Sequence, residues 1–229
     1  MMARRGMLAT LADGAAALLG SCSSKPSAYC YRMIIEVDTP AGVRIGSAVR
    51  EVSFYSRPQG VYGAKVKGEA VSVDLPGGTV LFALLCDTSG DPDYAAWVAD
   101  WALKRELEPG GANTDYDAGD FAELWPTQPR TESPLWQTRG PMLVRFGDMS
   151  DPASVARVEP DDLAASFGPG IALKRITVET TRDGVTEQIG ERLEWLGDYR
   201  DTMLNGKVLN DGSSLANCLT PGSFKWGLD

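Results

Sequence analysis

The chain has 229 residues, with 31 acids against 22 bases, no histidine and a net charge of −9. That acidic balance repels nucleic acid and anionic lipid headgroups. The missing histidine removes the Ser-His-Asp and Cys-His nucleophile systems and the common zinc sites. The length suits one domain whose core needs neither a metal nor disulfides to hold it.

The first predicted element is a secretory signal. Arg4 and Arg5 form a basic front end, Gly6 to Ser21 is rich in Ala, Leu and Gly, and Leu19-Gly20-Ser21-Cys22 closes the run. A cysteine stands where an ordinary cleavage site has a small residue. The segment resembles a bacterial lipoprotein signal, which implies removal of residues 1–21 and acylation of Cys22 by a fatty acid such as palmitate. Residues 22–28 then read as a polar tether, and 29–229 as the folded domain. Loss of Arg4, Arg5 and Asp13 takes 22 bases and 31 acids to 20 and 30, a mature charge of −10. Ser23 after the cysteine implies sorting to the outer membrane, facing the periplasm. A cytoplasmic protein with a mis-assigned start is the alternative.

Tyr29 to Asp38 alternates as a half-buried strand, with Tyr29, Tyr31, Met33, Ile35 and Val37 on one side. Thr39-Pro40-Ala41-Gly42 reads as a turn into a return strand, Val43 to Tyr55. The apolar phase of that strand shifts from Val43, Ile45 and Val49 to Val52 and Phe54, which predicts a bulge near Arg50-Glu51. Ala64 to Leu75 reads as a third strand. Pro76-Gly77-Gly78 turns it into Thr79 to Cys86, apolar enough to be covered on both faces. Asp91-Pro92 opens a helix running to about Glu108. Tyr94, Trp97, Val98 and Trp101 lie at helical spacing along it, with Leu103 and Leu107 opposite.

Gly110 to Gly140 reads as a long irregular loop containing Trp125 and Trp136. Met142 to Phe146 is a strand, Asp151–Val158 and Pro160–Phe167 are short helices, and Ile171 to Thr181 is a long strand. Glu187 to Leu196 reads as helical and Met203 to Leu209 as a final strand. Hairpins first and scattered helices later predict an α+β class with a mainly antiparallel sheet.

Three passages, EVDTPAGVRIGSAVREV at 36–52, GEAVSVDLPGG at 68–78 and RVEPDDLAASFGPGIALKRITVE at 157–179, resemble a family of uncharacterised proteobacterial predicted lipoproteins. The resemblance spans most of Tyr31 to Trp195. It implies a bacterial envelope protein and carries no activity, fold or ligand.

With Cys22 acylated, Cys30, Cys86 and Cys218 allow one disulfide at most. Spacing does not fix the pairing. Cys86 reads as a small buried hydrophobe, and Cys30–Cys218 is the expected bridge. No Ser-x-x-Lys, Gly-x-Ser-x-Gly or phosphate-loop pattern occurs. The run Asp115-Tyr116-Asp117-Ala118-Gly119-Asp120 fails as a calcium loop because Gly119 and Pro126 fill ligand positions. No metal and no cofactor is expected. Asp161-Asp162 suits the first turn of a helix, and Glu191 and Glu194 read as exposed helix acids. Trp97, Trp101, Trp125 and Trp136 are the candidate binding residues, since indole faces stack on sugars or on an apolar partner. The expected role is non-catalytic, binding or structural, with an envelope protein or glycan as partner. The rival is a hydrolase that cuts an envelope glycan with two carboxylates.

Overall fold

The computed structural model describes residues 28–57, 61–107, 131–132 and 140–227. Ala28–Asp38 (β1), Arg44–Arg57 (β2) and Val61–Glu69 (β3) run antiparallel in sequence order. Ala172–Thr181 (β9) pairs on the other side of β1. Thr131–Glu132 (β6) and Lys225–Trp226 (β10) extend the two edges, giving the order β10-β3-β2-β1-β9-β6. A second sheet holds Val71–Asp74 (β4), Val80–Asp87 (β5), Pro141–Phe146 (β7) and Val155–Arg157 (β8), in that spatial order. Every strand pair among the described residues is antiparallel. Tyr94–Leu107 (α1) is the main helix, and Leu163–Phe167 (α2), Ile189–Arg192 (α3) and Leu215–Cys218 (α4) are each about one turn. The class is α+β with a mainly antiparallel architecture, as the order of the elements implied.

The expected first hairpin forms across Thr39–Gly42, with Val37 opposite Arg44 and Ala28 opposite Ser53. The Gly42 amide donates to the Thr39 carbonyl at 2.9 Å, and Gly42 takes φ 105°, where a side chain is strained. The inward set of β1 is the expected one: Tyr29, Tyr31, Met33, Ile35 and Val37 are all buried.

In β2 the expectation of a bulge fails. Its register with β1 and β3 runs unbroken, and the core side is carried by Gly46, Ala48, Arg50, Val52 and Phe54. The apparent phase change arises because two inward positions are not apolar: one is a glycine and one an arginine. Ile45 is 63% exposed on the opposite face. A Cβ on Gly46 would lie 2.1 Å from the Ser72 carbonyl oxygen, so β4 crosses directly over the bare backbone. A register shift does occur, between Glu36 and Val37 in the pairing of β1 with β9.

Ala64–Leu75, read as one strand, is two strands in different sheets. Gly68 at φ 140° turns the chain out of β3, and Glu69-Ala70 carries it into β4. Asp151–Val158 is a single 3-10 turn followed by β8. The Asp151 carboxylate caps that turn at the Ala153 amide, and β7 then captures Val155–Arg157. Glu187–Leu196 is α3 plus a 3-10 turn rather than one helix. Met203–Leu209 is not a strand. Gly206 at φ 77° and a 2.7 Å bond from the Met203 amide to the Lys207 carbonyl close it into a turn. The last strand is β10. Within the 110–140 segment, β6 at residues 131–132 pairs with β9.

β5 is covered on both faces, as its composition implied. Leu81 and Ala83 join Tyr31, Met33, Ile35, Val52, Tyr94, Val98 and Ile176 in a core between the two sheets and α1. Phe82, Leu84 and Cys86 join Val144, Ile189, Leu193, Trp195, Leu204 and Phe224 in a second core beneath the C-terminal segment. The layers are therefore the six-stranded sheet, the four-stranded sheet with α1 beside it, and an irregular cap built from residues after β9.

Because the contact at Gly46 is backbone against backbone, no side chain can move to relieve it. Gly46→Ala is expected to cost at least about 1–3 kcal/mol, read as a lower urea midpoint. An unchanged midpoint would contradict the close crossing of β4 over β2.

Candidate functional site

The cap presents an open cleft of about 460 Å³ lined by Arg200, Asp201, Thr202, Met203, Lys225 and Trp226, among others. That volume lies within the range of ligand sites, roughly 300–1,000 Å³. One wall is β10, which pairs with the end of β3 through Lys225 opposite Glu69 and Trp226 opposite Gly68. Phe224, immediately before it, is fully buried, and its ring lies 5.8 Å from Trp195, 5.7 Å from Phe146 and 6.1 Å from Phe82. Aromatic contacts at these separations fix the strand's position beyond simple burial. Trp226, two residues on, stays 37% exposed.

The other wall is the Arg200–Met203 turn. The Thr202 amide donates to the Tyr199 carbonyl at 3.0 Å, and the Thr202 hydroxyl donates to the same oxygen at 3.4 Å. The next residues are pinned to the α4 region by the Leu204 amide on the Leu219 carbonyl, 3.0 Å, and the Asn205 amide on the Ala216 carbonyl, 3.1 Å. Asn217, fully buried, organises the 209–212 turn. Its side-chain oxygen accepts from the amides of Asp211 at 2.6 Å and Gly212 at 3.0 Å, and its amide nitrogen donates to the Leu209 carbonyl at 3.0 Å. That single side chain satisfies three main-chain groups of a turn that has no strand partner. It also holds Val208 and Leu209 outward, 71% and 78% exposed.

Neither Arg200 nor Lys225 makes a side-chain ion pair or hydrogen bond among the described residues. Lys225 acts on Glu187 only at longer range, lowering that carboxyl less than Lys67 does. Asp201 is the one carboxylate among the described lining residues. Two such cations, one acid and a part-exposed indole surround an open hollow. They do not supply the two facing carboxylates that acid–base cleavage of a glycosidic bond uses.

The residues expected from sequence are placed elsewhere. Trp97 meets Phe54 of β2 edge-on at 5.9 Å, and Trp101, 6.3 Å from Tyr94 within the same helix, packs against the core, so both help seat α1. Trp125, Trp136 and the 115–120 acids lie outside the described residues, as does Cys22. Cys30, Cys86 and Cys218 are free thiols, so the expected Cys30–Cys218 bridge is not made. Cys30 lies on β1 in the six-stranded sheet, whereas Cys218 ends α4 in the cap, its sulfur 3.9 Å from the Asn210 side-chain oxygen. Cys86 is the buried hydrophobe expected, and burial pushes its thiol up to about 11. Asp162 is the N-cap of α2, accepting from the Ala165 amide at 3.1 Å, while Asp161, Glu191 and Glu194 are exposed. Among the described residues no group of three His, Cys, Asp or Glu side chains is placed to hold a metal ion.

A second polar feature lies inside the core. Arg50 is fully buried, with Nε donating to the Glu69 carbonyl at 3.0 Å and Nη1 to the Tyr31 hydroxyl at 3.4 Å. Its guanidinium carbon sits 5.9 Å from the Tyr31 ring centre, within cation–π range. Its Nη2 has no partner among the described residues. Tyr31 passes the chain on, donating to the Ala95 carbonyl of α1 at 2.7 Å. Burial pushes the Tyr31 and Tyr94 phenols up, with Arg50 pulling the other way. The cluster is fully enclosed and ties β2 to β1 and α1.

Sequence reasoning does not find the cleft residues Arg200, Lys225 and Trp226. Trp226 has no periodic pattern around it, and its partner wall is about two dozen residues away in an irregular segment. No protein-family model, no curated protein and no solved structure matches the chain.

Asn217→Ala is expected to leave the Asp211 amide and the Leu209 carbonyl without these partners, while the Gly212 amide keeps its bond to the Asn210 side-chain oxygen at 3.0 Å. The expected loss is about 2 kcal/mol, with fast hydrogen exchange at the Asp211 amide. Unchanged protection there would show that the turn is held by other means.

Proposed function

We propose that the protein is a lipid-anchored protein of the bacterial cell envelope with a non-catalytic binding or structural role. In this reading it is held at the outer membrane through acylated Cys22 and faces the periplasm. The order of Arg4-Arg5, the apolar run and Leu19-Gly20-Ser21-Cys22 carries the reading. Its resemblance to proteobacterial predicted lipoproteins agrees. The first strand begins at Ala28, six residues after Cys22. That length of chain reaches at most about 20 Å, so an anchored core works close to the membrane surface. No helix among the described residues is long and apolar enough to cross a membrane, and the reading assigns attachment to the lipid. The binding half of the reading is supported by the cleft, where two cations and an indole stand beside a single acid.

Cys22→Ala is the direct test. The variant is expected to leave the membrane fraction for the soluble fraction, and the wild-type protein to begin at an acylated Cys22 by mass spectrometry. Unchanged fractionation, or a wild-type protein that still carries Met1, overturns the proposal.

A further inference from the structure

We infer that the cleft between Arg200–Met203 and Lys225-Trp226 binds a carboxylate-bearing saccharide, a uronic-acid type of glycan segment. The inference rests on the binding role proposed above and names its ligand. Four observations point to this class. First, Trp226 is exposed by 37% although Phe224, two residues before it, is fully buried among Phe82, Phe146 and Trp195. The strand is rigidly placed, so the indole is held in the open by its register with Gly68, not by slack in the chain. A flat apolar face beside polar groups stacks on the C–H face of a sugar ring. Second, Arg200 and Lys225 line the same hollow without ion-pair partners among the described residues, in a protein with nine more acids than bases. Two such cations bind a carboxylate through charge-assisted hydrogen bonds.

Third, Asp201 shares the lining. An ionised carboxylate accepts hydrogen bonds from sugar hydroxyls and repels a densely charged polyanion. The mixture therefore favours a polyhydroxylated ligand with sparse charge over nucleic acid or polyphosphate. Fourth, the cleft is open to solvent and not an enclosed cavity, which leaves room for the neighbouring units of a longer chain. Thr202 and Met203 complete a wall with both hydroxyl and apolar character.

The test is calorimetric titration of the full chain in detergent micelles with a tetrasaccharide in which uronic-acid and neutral sugars alternate. The same oligomer with its carboxylates methyl-esterified and inorganic polyphosphate are the controls. Measurable binding of the acid oligomer is expected, weakened about tenfold or more by methyl esterification. Trp226→Ala is expected to weaken it by a similar factor. Arg200→Gln and Lys225→Gln should each weaken it about fivefold with the urea midpoint unchanged, since neither side chain has an ion-pair or hydrogen-bond partner among the described residues. No heat at about 10 mM oligomer, equal binding of acid and ester, unaltered binding by the Arg200→Gln variant, or tighter binding of polyphosphate each overturns the inference. Binding without membrane release by Cys22→Ala would instead sink the envelope reading and leave the ligand assignment standing.

Discussion

Glu69 is where the chain leaves one sheet for the other, and each of its polar groups is committed to that passage. Its carboxylate accepts from the Gln188 amide at 3.0 Å and the Ile189 amide at 2.8 Å, capping α3. Its carbonyl accepts from Arg50, and its backbone pairs with Lys225 of β10. One residue on, the Ala70 amide donates to the Phe224 carbonyl at 2.7 Å. The crossing therefore joins β2, β3, β10 and the cap through hydrogen bonds, those of Arg50 and of the Ile189 amide being buried. Unmade, such bonds leave buried groups without partners, which costs far more than a made bond contributes. Gly68 is the matching steric condition. A Cβ there would sit 3.0 Å from the Arg50 side chain and 3.1 Å from the Val49 carbonyl oxygen, at a φ of 140°. Where β3 departs, Thr186 takes its place beside β2, its amide on the Val49 carbonyl at 3.1 Å and its hydroxyl accepting from the Val49 amide at 2.8 Å.

The same passage sets up the cleft. Because β10 is paired to the last two residues of β3, Lys225 and Trp226 are fixed to the edge of the main sheet. Phe224 sinks into the second core, so the strand cannot slide outward. The opposing wall depends on Asn217 and on the two backbone bonds from Leu204 and Asn205. Both walls are thus held through their backbones, which fixes where Trp226 and the stems of Arg200 and Lys225 leave the chain. Preorganisation lowers the ordering cost of binding. By contrast, the exposed ion pair of Arg192 with Asp74 fastens α3 to β4 from outside and contributes little, since such surface pairs are worth about 0–1 kcal/mol.

How much of the fold is legible in the sequence depends on where the signal is local. The β1–β2 hairpin is readable because five alternating apolar residues precede a Thr-Pro-Ala-Gly turn. β5 is readable because six consecutive buried residues leave no polar face. The phase of β2 is misleading because Arg50 and Gly46 occupy core positions, and composition scores both as outward or neutral. Only the approach of Ser72 and the acceptors Tyr31 and Glu69, all distant in sequence, explain them. The split of Ala64–Leu75 is invisible because Gly68 reads equally as a strand glycine. The cleft is hidden for the same reason: its walls are irregular segments brought together by Phe224 and Asn217, and neither residue announces a site. The sequence-derived tryptophans stand out by residue type alone. The two that are described, Trp97 and Trp101, help seat α1, Trp97 against Phe54 and Trp101 against the core.

If the crossing at Glu69 holds the two sheets and the cap together, removing its charge must loosen all three at once. The direct measurement is native-state hydrogen exchange on Glu69→Gln. The expected result is a loss of about 2 kcal/mol in global stability, with Gln188, Ile189 and Ala70 losing protection by more than the strands of the main sheet. A variant with unchanged stability, or one whose extra exchange stays confined to α3, would contradict the central place given to this residue.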